Sequence, residues 1–245
     1  MGLDYSYADV AKMIDHSLLN PTLTWEDLEN GISLALAYGV ASVCIMPYAL
    51  KRCAERLRRG DSGQQQRSVR ASTTIGFPHG VNATATKVAE TRQALADGGE
   101  ELDMVVNISK VLSGDWSYVA ADIRAVVETT HTAGQKVKVI FENAYLNDDQ
   151  KIRLCDLCGE VRADWVKTST GYAPTGATDA DLILMRQHSP AFVQVKAAGG
   201  IRDLDALLRI RAYGVTRCGA TRTASMMDEA RRRLGLPAID LRGGS

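Results

Sequence analysis

Residues 163–200 read ADWVKTSTGYAPTGATDADLILMRQHSPAFVQVKAAGG. The stretch opens on a short apolar run, ADWVK (163–167), and nears its end on another, FVQVK (192–196). Each run ends in a lysine, and a loop of small residues and glycines follows. Between the two runs, 178–188 has a helical pattern. Strand, loop, helix and strand make one βαβ unit, and strands joined this way run parallel.

The unit repeats along the chain. Strands are expected near 12–18, 41–46, 69–75, 101–106, 136–141, 163–167, 192–196 and 215–218. Helices are expected near 24–38, 48–59, 82–97, 115–133, 147–159, 178–188, 203–212 and 222–233. Thr24 with Asp27 has the pattern of a helix N-cap, and Gly39, Gly98, Gly134 and Gly214 stand where helices end. Eight such units in 245 residues match a (β/α)8 TIM barrel. A single domain is expected over 1–245, with 236–245 as a C-terminal tail. A doubly wound open sheet would show a glycine-rich turn after its first strand, and DHSLLNPT (15–22) has no glycine. The polar segment RGDSGQQQRS (59–68) reads as a surface loop.

Composition narrows the partners. Lys+Arg and Asp+Glu both number 29, so bulk charge gives no attraction for nucleic acid or a membrane surface. The Met1 end lacks a basic region followed by an apolar core, and no apolar run approaches membrane-spanning length. Five cysteines fit a reducing compartment better than a disulfide framework, so a cytoplasmic protein is expected. Cys155 and Cys158 form a C-x-x-C inside a helical pattern, without the further ligands that zinc requires.

In a barrel of this type the chemistry sits where the strands end. Asp15 and His16 belong to the first strand, Asp103 and Asn107 to the fourth, and Glu142 and Asn143 close the fifth. Lys167 closes the sixth strand and Lys196 the seventh. Alternation along a strand puts Trp165 on the face of Lys167, and Gln194 on the face of Lys196. Asp103, on a face with Val105 and Asn107, would lie deeper. Two lysines on neighbouring strands disfavour each other's charge, and partial burial adds to the effect. A drop of roughly three pKa units, worth about 4 kcal/mol, would leave one amine neutral and nucleophilic near pH 7. Which lysine that is, spacing alone does not decide. Asp103 could hold the other lysine charged or relay protons.

The loops add an anion site. AAGGIRD follows the seventh strand, CGATRT the eighth, and Thr168–Gly171 the sixth. Gly199, Gly200 and Gly219 would let backbone N–H groups approach a phosphate. A lysine nucleophile beside a phosphate anchor fits a Schiff-base aldolase acting on a sugar phosphate. An acid–base phosphosugar isomerase and a non-catalytic sugar-phosphate sensor are the alternatives. A metal-dependent aldolase would need a histidine cluster, and the four histidines are scattered.

Over nearly its full length the chain resembles the class I deoxyribose-phosphate aldolases. The matching segments are IDHSLLNPT (14–22), VCIMP (43–47), IGFPHG (75–80), GGEELDMVVN (98–107), VKVIFE (137–142), VKTSTGY (166–172), VKAAGGIR (195–202) and TRCGAT (216–221). The resemblance implies reversible cleavage of 2-deoxy-D-ribose 5-phosphate to acetaldehyde and D-glyceraldehyde 3-phosphate, with no metal or other cofactor. It makes Lys167 the Schiff-base lysine, Lys196 the lysine that lowers its pKa, and Asp103 part of the proton relay. Thr170, Gly171, Gly199, Gly200, Gly219 and Thr221 match substrate- and phosphate-binding positions. The expected partners are a sugar phosphate and aldehydes, which is compatible with a homo-oligomer.

The chain departs from the family pattern at several places. Tyr172 stands where many members carry Lys or Phe. Thr221 and Arg222 stand where two serines are usual, and Arg222 is expected to restore positive charge at the phosphate. Asn143 replaces a common threonine and bears on the pocket wall. The tail LPAIDLRGGS lacks the terminal tyrosine that some members fold into the site. These departures leave room for a related phosphorylated aldose as substrate. Of the remaining candidates, His16 reads as a structural histidine at the barrel mouth, His79 as part of a turn, and Cys44 as a pocket-lining residue rather than a nucleophile. Met226 and Met227 read as packing for the last helix.

Overall fold

The computed structural model describes residues 4–60 and 69–239. Eight parallel strands close into a barrel: β1 (Ile14–Leu18), β2 (Ser42–Ile45), β3 (Arg70–Ile75), β4 (Glu101–Val105), β5 (Lys136–Ile140), β6 (Trp165–Lys167), β7 (Gln194–Ala198) and β8 (Arg217–Ala220). β8 pairs with β1 through Ile14 opposite Cys218, which seals the ring. The eight anticipated helices follow their strands as α2 (Trp25–Tyr38), α3 (Leu50–Gly60), α4 (Thr84–Ala96), α6 (Trp116–Thr132), α7 (Asp148–Glu160), α8 (Asp179–His188), α9 (Leu204–Ala212) and α10 (Thr223–Arg233). Thr24 and Asp27 form a reciprocal capping box, and Gly39 ends α2 in the left-handed conformation. Residues 61–68 of the expected surface loop and 240–245 of the expected tail lie outside the described residues.

Several boundaries differ from the sequence expectation. β7 and β8 each start and end two residues later than expected. Val193 and Val215 are buried before the strands begin, so the apolar runs include connector residues. Ala197, Ala198, Gly219 and Ala220 have weak strand propensity, yet each strand has a partner on both sides that completes its ladder. Lys196 is therefore in mid-strand, not at its end. β4 stops at Val105, and Asn107 caps a short helix, α5 (Ile108–Leu112), with its side chain accepting from Lys110 N. Another short helix, α1 (Tyr7–Ala11), precedes the barrel, held by a Ser6–Asp9 capping box. Five residues are too few for a periodic pattern, which is why neither helix was anticipated.

Both faces of the strands are buried. The outward residues Val43, Leu102, Met104, Val139, Val166 and Val195 pack under the helices. The inward face is charged: Asp15, Glu101, Asp103, Lys138, Lys167, Lys196 and Arg217 point into the barrel, with Trp165 among them. Barrels of this class are usually filled by branched apolar side chains. A buried charge is tolerable only when paired, so this interior has to be read as a network.

Candidate active site

Lys167 and Lys196 are directly opposed in the register of β6 and β7. Both donate to one oxygen of Asp103, Oδ2, at 2.8 and 2.7 Å. Lys196 also lies 2.6 Å from Asp15 Oδ2. From β5, Lys138 donates to Asp103 Oδ1 at 2.9 Å and lies 2.7 Å from Glu101 Oε2. Arg217 forks onto Glu101 at 3.0 and 2.8 Å and reaches Asp15 at 2.5 Å. Lys167 is 3% exposed and Lys196 1%, so water screens neither.

The two lysines have opposite electrostatics. Burial pushes the Lys167 amine below the ordinary lysine range; Asp103 opposes this and the Lys196 ammonium reinforces it. Burial works against the Lys196 charge too, but Asp103 and Asp15 more than offset it and hold its pKa above the usual value. For Asp103, burial favours the neutral acid, yet Lys138, Lys167 and Lys196 keep it ionised well below the carboxylate range. Asp15 is held down in the same way by Lys196 and Arg217. The pair therefore consists of one amine held charged and one whose proton is held less tightly than a lysine's usually is.

Above Lys167 opens a cleft of about 850 Å³. All seven expected anion-site residues line it: Thr170 and Gly171 from the loop after β6, Gly199 and Gly200 after β7, and Gly219, Thr221 and Arg222 at β8 and beyond. Lys167 also lines it, whereas Lys196 and Asp103 lie beneath. Arg222 precedes α10 without capping it through its side chain. A second arginine, Arg202, lines the cleft too, and the sequence reading did not single it out. The loops after β6 and β7 meet closely: a Cβ on Gly176 would fall 2.5 Å from the Gly199 carbonyl carbon. Glu142, at φ 60°, accepts from Thr170 N at 3.2 Å and from the Thr170 hydroxyl, and so fixes the turn after Lys167. Tyr172 spans the mouth, its hydroxyl donating to Leu19 O at 2.7 Å and its ring meeting Phe77 edge-on at 5.6 Å.

Of the other candidates, His16 also lines the cleft, whereas Asn143 and Cys44 do not. The Asn143 amide points to Met185 Sδ, 3.3 Å away, while its backbone N–H donates to Thr168 O. Cys44 is not in the wall either but lies buried beneath it, where burial pushes its thiol pKa up. His16 shares a 2.8 Å hydrogen bond with Thr223, and burial pushes its pKa down to about 4, in keeping with a neutral tie between β1 and α10. All five cysteines are free and buried, Cys155 and Cys158 within α7. Met226 and Met227 are buried on α10. Among the described residues no three His, Cys, Asp or Glu side chains are grouped to hold a metal ion. The sequence reading passed over Glu101, Lys138 and Arg217, and named Asp15 without a role. The signal for Glu101 was its place two residues before Asp103, on the same face of the strand.

Fold and site together define a (β/α)8 barrel whose centre is a buried lysine pair bridged by one carboxylate, under a glycine-lined cleft. The chain belongs to the DeoC/LacD family of aldolases, whose family model matches residues 9–220. A deoxyribose-phosphate aldolase of Rhodopirellula baltica is 64% identical over 238 residues, covering 97% of this chain and 96% of the relative. The solved structure of an aldolase designated QR15 superposes with a TM-score of 0.84 at 33% identity, covering 94% of this chain and 99% of that one. A tetrameric deoxyribose-phosphate aldolase from Aeropyrum pernix gives 0.83 at 28% identity, covering 94% and 93% of the two chains.

Proposed function

We propose that this chain cleaves 2-deoxy-D-ribose 5-phosphate, reversibly, to acetaldehyde and D-glyceraldehyde 3-phosphate through a Schiff base on Lys167. The observation that carries the proposal is the asymmetry of the two amines: Lys196 is close to two carboxylates, Lys167 to one that it shares. Neutral Lys167 adds to the aldehyde carbon of the open-chain sugar, and loss of water gives an iminium. The iminium accepts the electron pair of the breaking carbon–carbon bond as the hydroxyl on the leaving fragment loses its proton and becomes the aldehyde of glyceraldehyde 3-phosphate. The enamine that remains is protonated on carbon, and hydrolysis frees acetaldehyde and the amine. Asp103, in contact with both nitrogens, would hold Lys196 charged and relay protons to and from the reacting carbon. The electron sink is the iminium, so the chemistry calls for no metal.

Thr170, Gly171, Gly199, Gly200, Gly219 and Thr221 would receive the phosphate, with Arg222 supplying charge. The 64% identity to a deoxyribose-phosphate aldolase supports this substrate over another phosphorylated aldose. The whole chain is read as one barrel domain with 236–245 as its tail, working in the cytoplasm. Five free thiols are consistent with that compartment, and among the described residues no helix is long and apolar enough to cross a membrane. A homo-oligomer fits too, as the Aeropyrum pernix protein is a tetramer.

Borohydride reduction in the presence of 2-deoxyribose 5-phosphate, followed by peptide mass spectrometry, tests the assignment. An adduct on Lys167 is expected. An adduct on Lys196, or turnover unaffected by borohydride as an isomerase would show, would overturn it. Binding without turnover would make the chain a sensor instead.

A further inference from the structure

Below the reacting lysine the barrel holds a second tier of charge. Arg217 reaches from β8 across the interior to Glu101 on β4, while also touching Asp15 on β1. Lys138 joins Glu101 to Asp103. Among the described residues, four cations (Lys138, Lys167, Lys196 and Arg217) share three carboxylates (Asp15, Glu101 and Asp103). Arg217, Lys138 and Lys196 each lie within 4 Å of at least two of these carboxylates; Lys167 has Asp103 alone.

Few other groups bear on the balance. Arg70 is 3.7 Å from Glu101, but it is 45% exposed and water screens it. Cys44 and Cys218 are buried thiols whose pKa values burial raises, the latter to about 12. His16 is neutral at working pH. Trp165 lies 5.6 Å from Lys138 Nζ and 5.1 Å from Arg217 Cζ, and it contributes no net charge.

Fully protonated, the cluster would carry one uncompensated positive charge away from water, and that is costly. Arginine does not shed a proton in this range. The cheapest release is from the lysine with the fewest carboxylates. We propose that the Glu101–Arg217 pair is a charge-setting element for the reaction: it fixes the balance of the barrel interior so that the surplus proton leaves Lys167. Neither residue lines the cleft, and both act through Asp15, Asp103 and Lys138, as positioning residues. This inference rests on Lys167 being the Schiff-base lysine.

Opposite charge changes at this tier must move Lys167 in opposite directions. Arg217→Gln leaves three cations on three carboxylates, so Lys167 keeps its proton to higher pH. Glu101→Gln leaves four cations on two, so the proton leaves sooner. The double variant has three cations on two carboxylates and again has one surplus proton.

The test is the acid limb of kcat/KM against pH for 2-deoxyribose 5-phosphate cleavage, measured on the full chain and the three variants. Titration of the substrate itself is common to all four. Arg217→Gln should move the limb up by about one pH unit or more, an activity loss of about tenfold at a fixed pH on the limb. Glu101→Gln should move it down, and the double variant should return it to the parent position. A merely structural pair would lower kcat with the limb unmoved, or leave the double variant worse than either single one; either result overturns the inference. Should one single variant fail to fold, the other decides: its limb must move in the stated direction and return in the double variant, and a limb unmoved in that single variant contradicts the inference. Borohydride trapping is run alongside. No adduct on Lys167 in the parent protein removes the Schiff-base reading, whereas an adduct with coincident limbs removes the charge-setting role alone.

Discussion

Lys167 and Lys196 donate to the same oxygen of Asp103, at 2.8 and 2.7 Å. One carboxylate oxygen cannot neutralise two ammonium groups, and Lys196 has Asp15 as a second partner. The deficit falls on Lys167. In the proposed mechanism, the contact that fixes the Lys167 amine in place also sets which of the two amines reacts.

Lys196→Met should raise the pKa of Lys167, because Asp103 Oδ2 would then serve one amine. The expected loss in kcat/KM at pH 7 is about 100-fold or more, with partial recovery as pH rises. Steady-state rates between pH 6 and 9.5 check this; a pH-independent loss would count against it.

Arg222→Ala should weaken binding of the phosphorylated substrate and leave the chemical step nearly intact. Loss of a charge-assisted contact predicts a KM about tenfold higher, with kcat changed by less than about twofold. A non-phosphorylated substrate, 2-deoxyribose, should show little change. An unaltered KM for the phosphorylated sugar would place the phosphate elsewhere.

Away from the site, Lys87 and Asp122 form a buried pair at 2.6 Å that ties α4 to α6. Lys87 also donates to Val105 O, and Thr84 donates to Asp122. Asp122→Ala strands a buried ammonium, and a loss of about 3–5 kcal/mol is expected by urea unfolding. A loss below about 1 kcal/mol would mean that the pair is not buried as described.

Acid should loosen the barrel from within. Asp15, Glu101 and Asp103 all have folded pKa values below the ordinary carboxylate range, because the buried cations outweigh the effect of burial. Groups with depressed folded values give their full stabilisation above the unfolded pKa, about 4, and lose it as pH falls toward the folded value. Melting temperature should therefore hold steady down to about pH 5 and fall steeply below about pH 4. Scanning calorimetry checks this; a flat profile to pH 3 would show that the three carboxylates are not paired as described.

Much of this was legible in the residues, and the rest was hidden for physical reasons. The alternation of ADWVK and FVQVK with helical segments gave the barrel, because a strand–helix repeat leaves few other topologies. It also put Lys167 and Lys196 on one inward face, since side chains alternate along a strand. The charged tier beneath was not legible. In KVKVIF the valines look like the core face and the lysines like the wet one, the usual reading of a two-faced strand. Here both faces are buried: Val137 and Val139 pack under helices, and Lys138 points inward. The family resemblance, not spacing, chose Lys167 over Lys196. The physical basis of that choice is Asp15, whose contact with Lys196 spans strands far apart in sequence.

The most direct test is a titration of the Lys167 amine, followed by the 13Cε resonance of labelled lysine and assigned with a Lys167→Arg variant. A midpoint well below the ordinary 10.4, moving upward in Lys196→Met, is the expected result. A midpoint at or above 10.4 in the parent protein would contradict a neutral, nucleophilic Lys167.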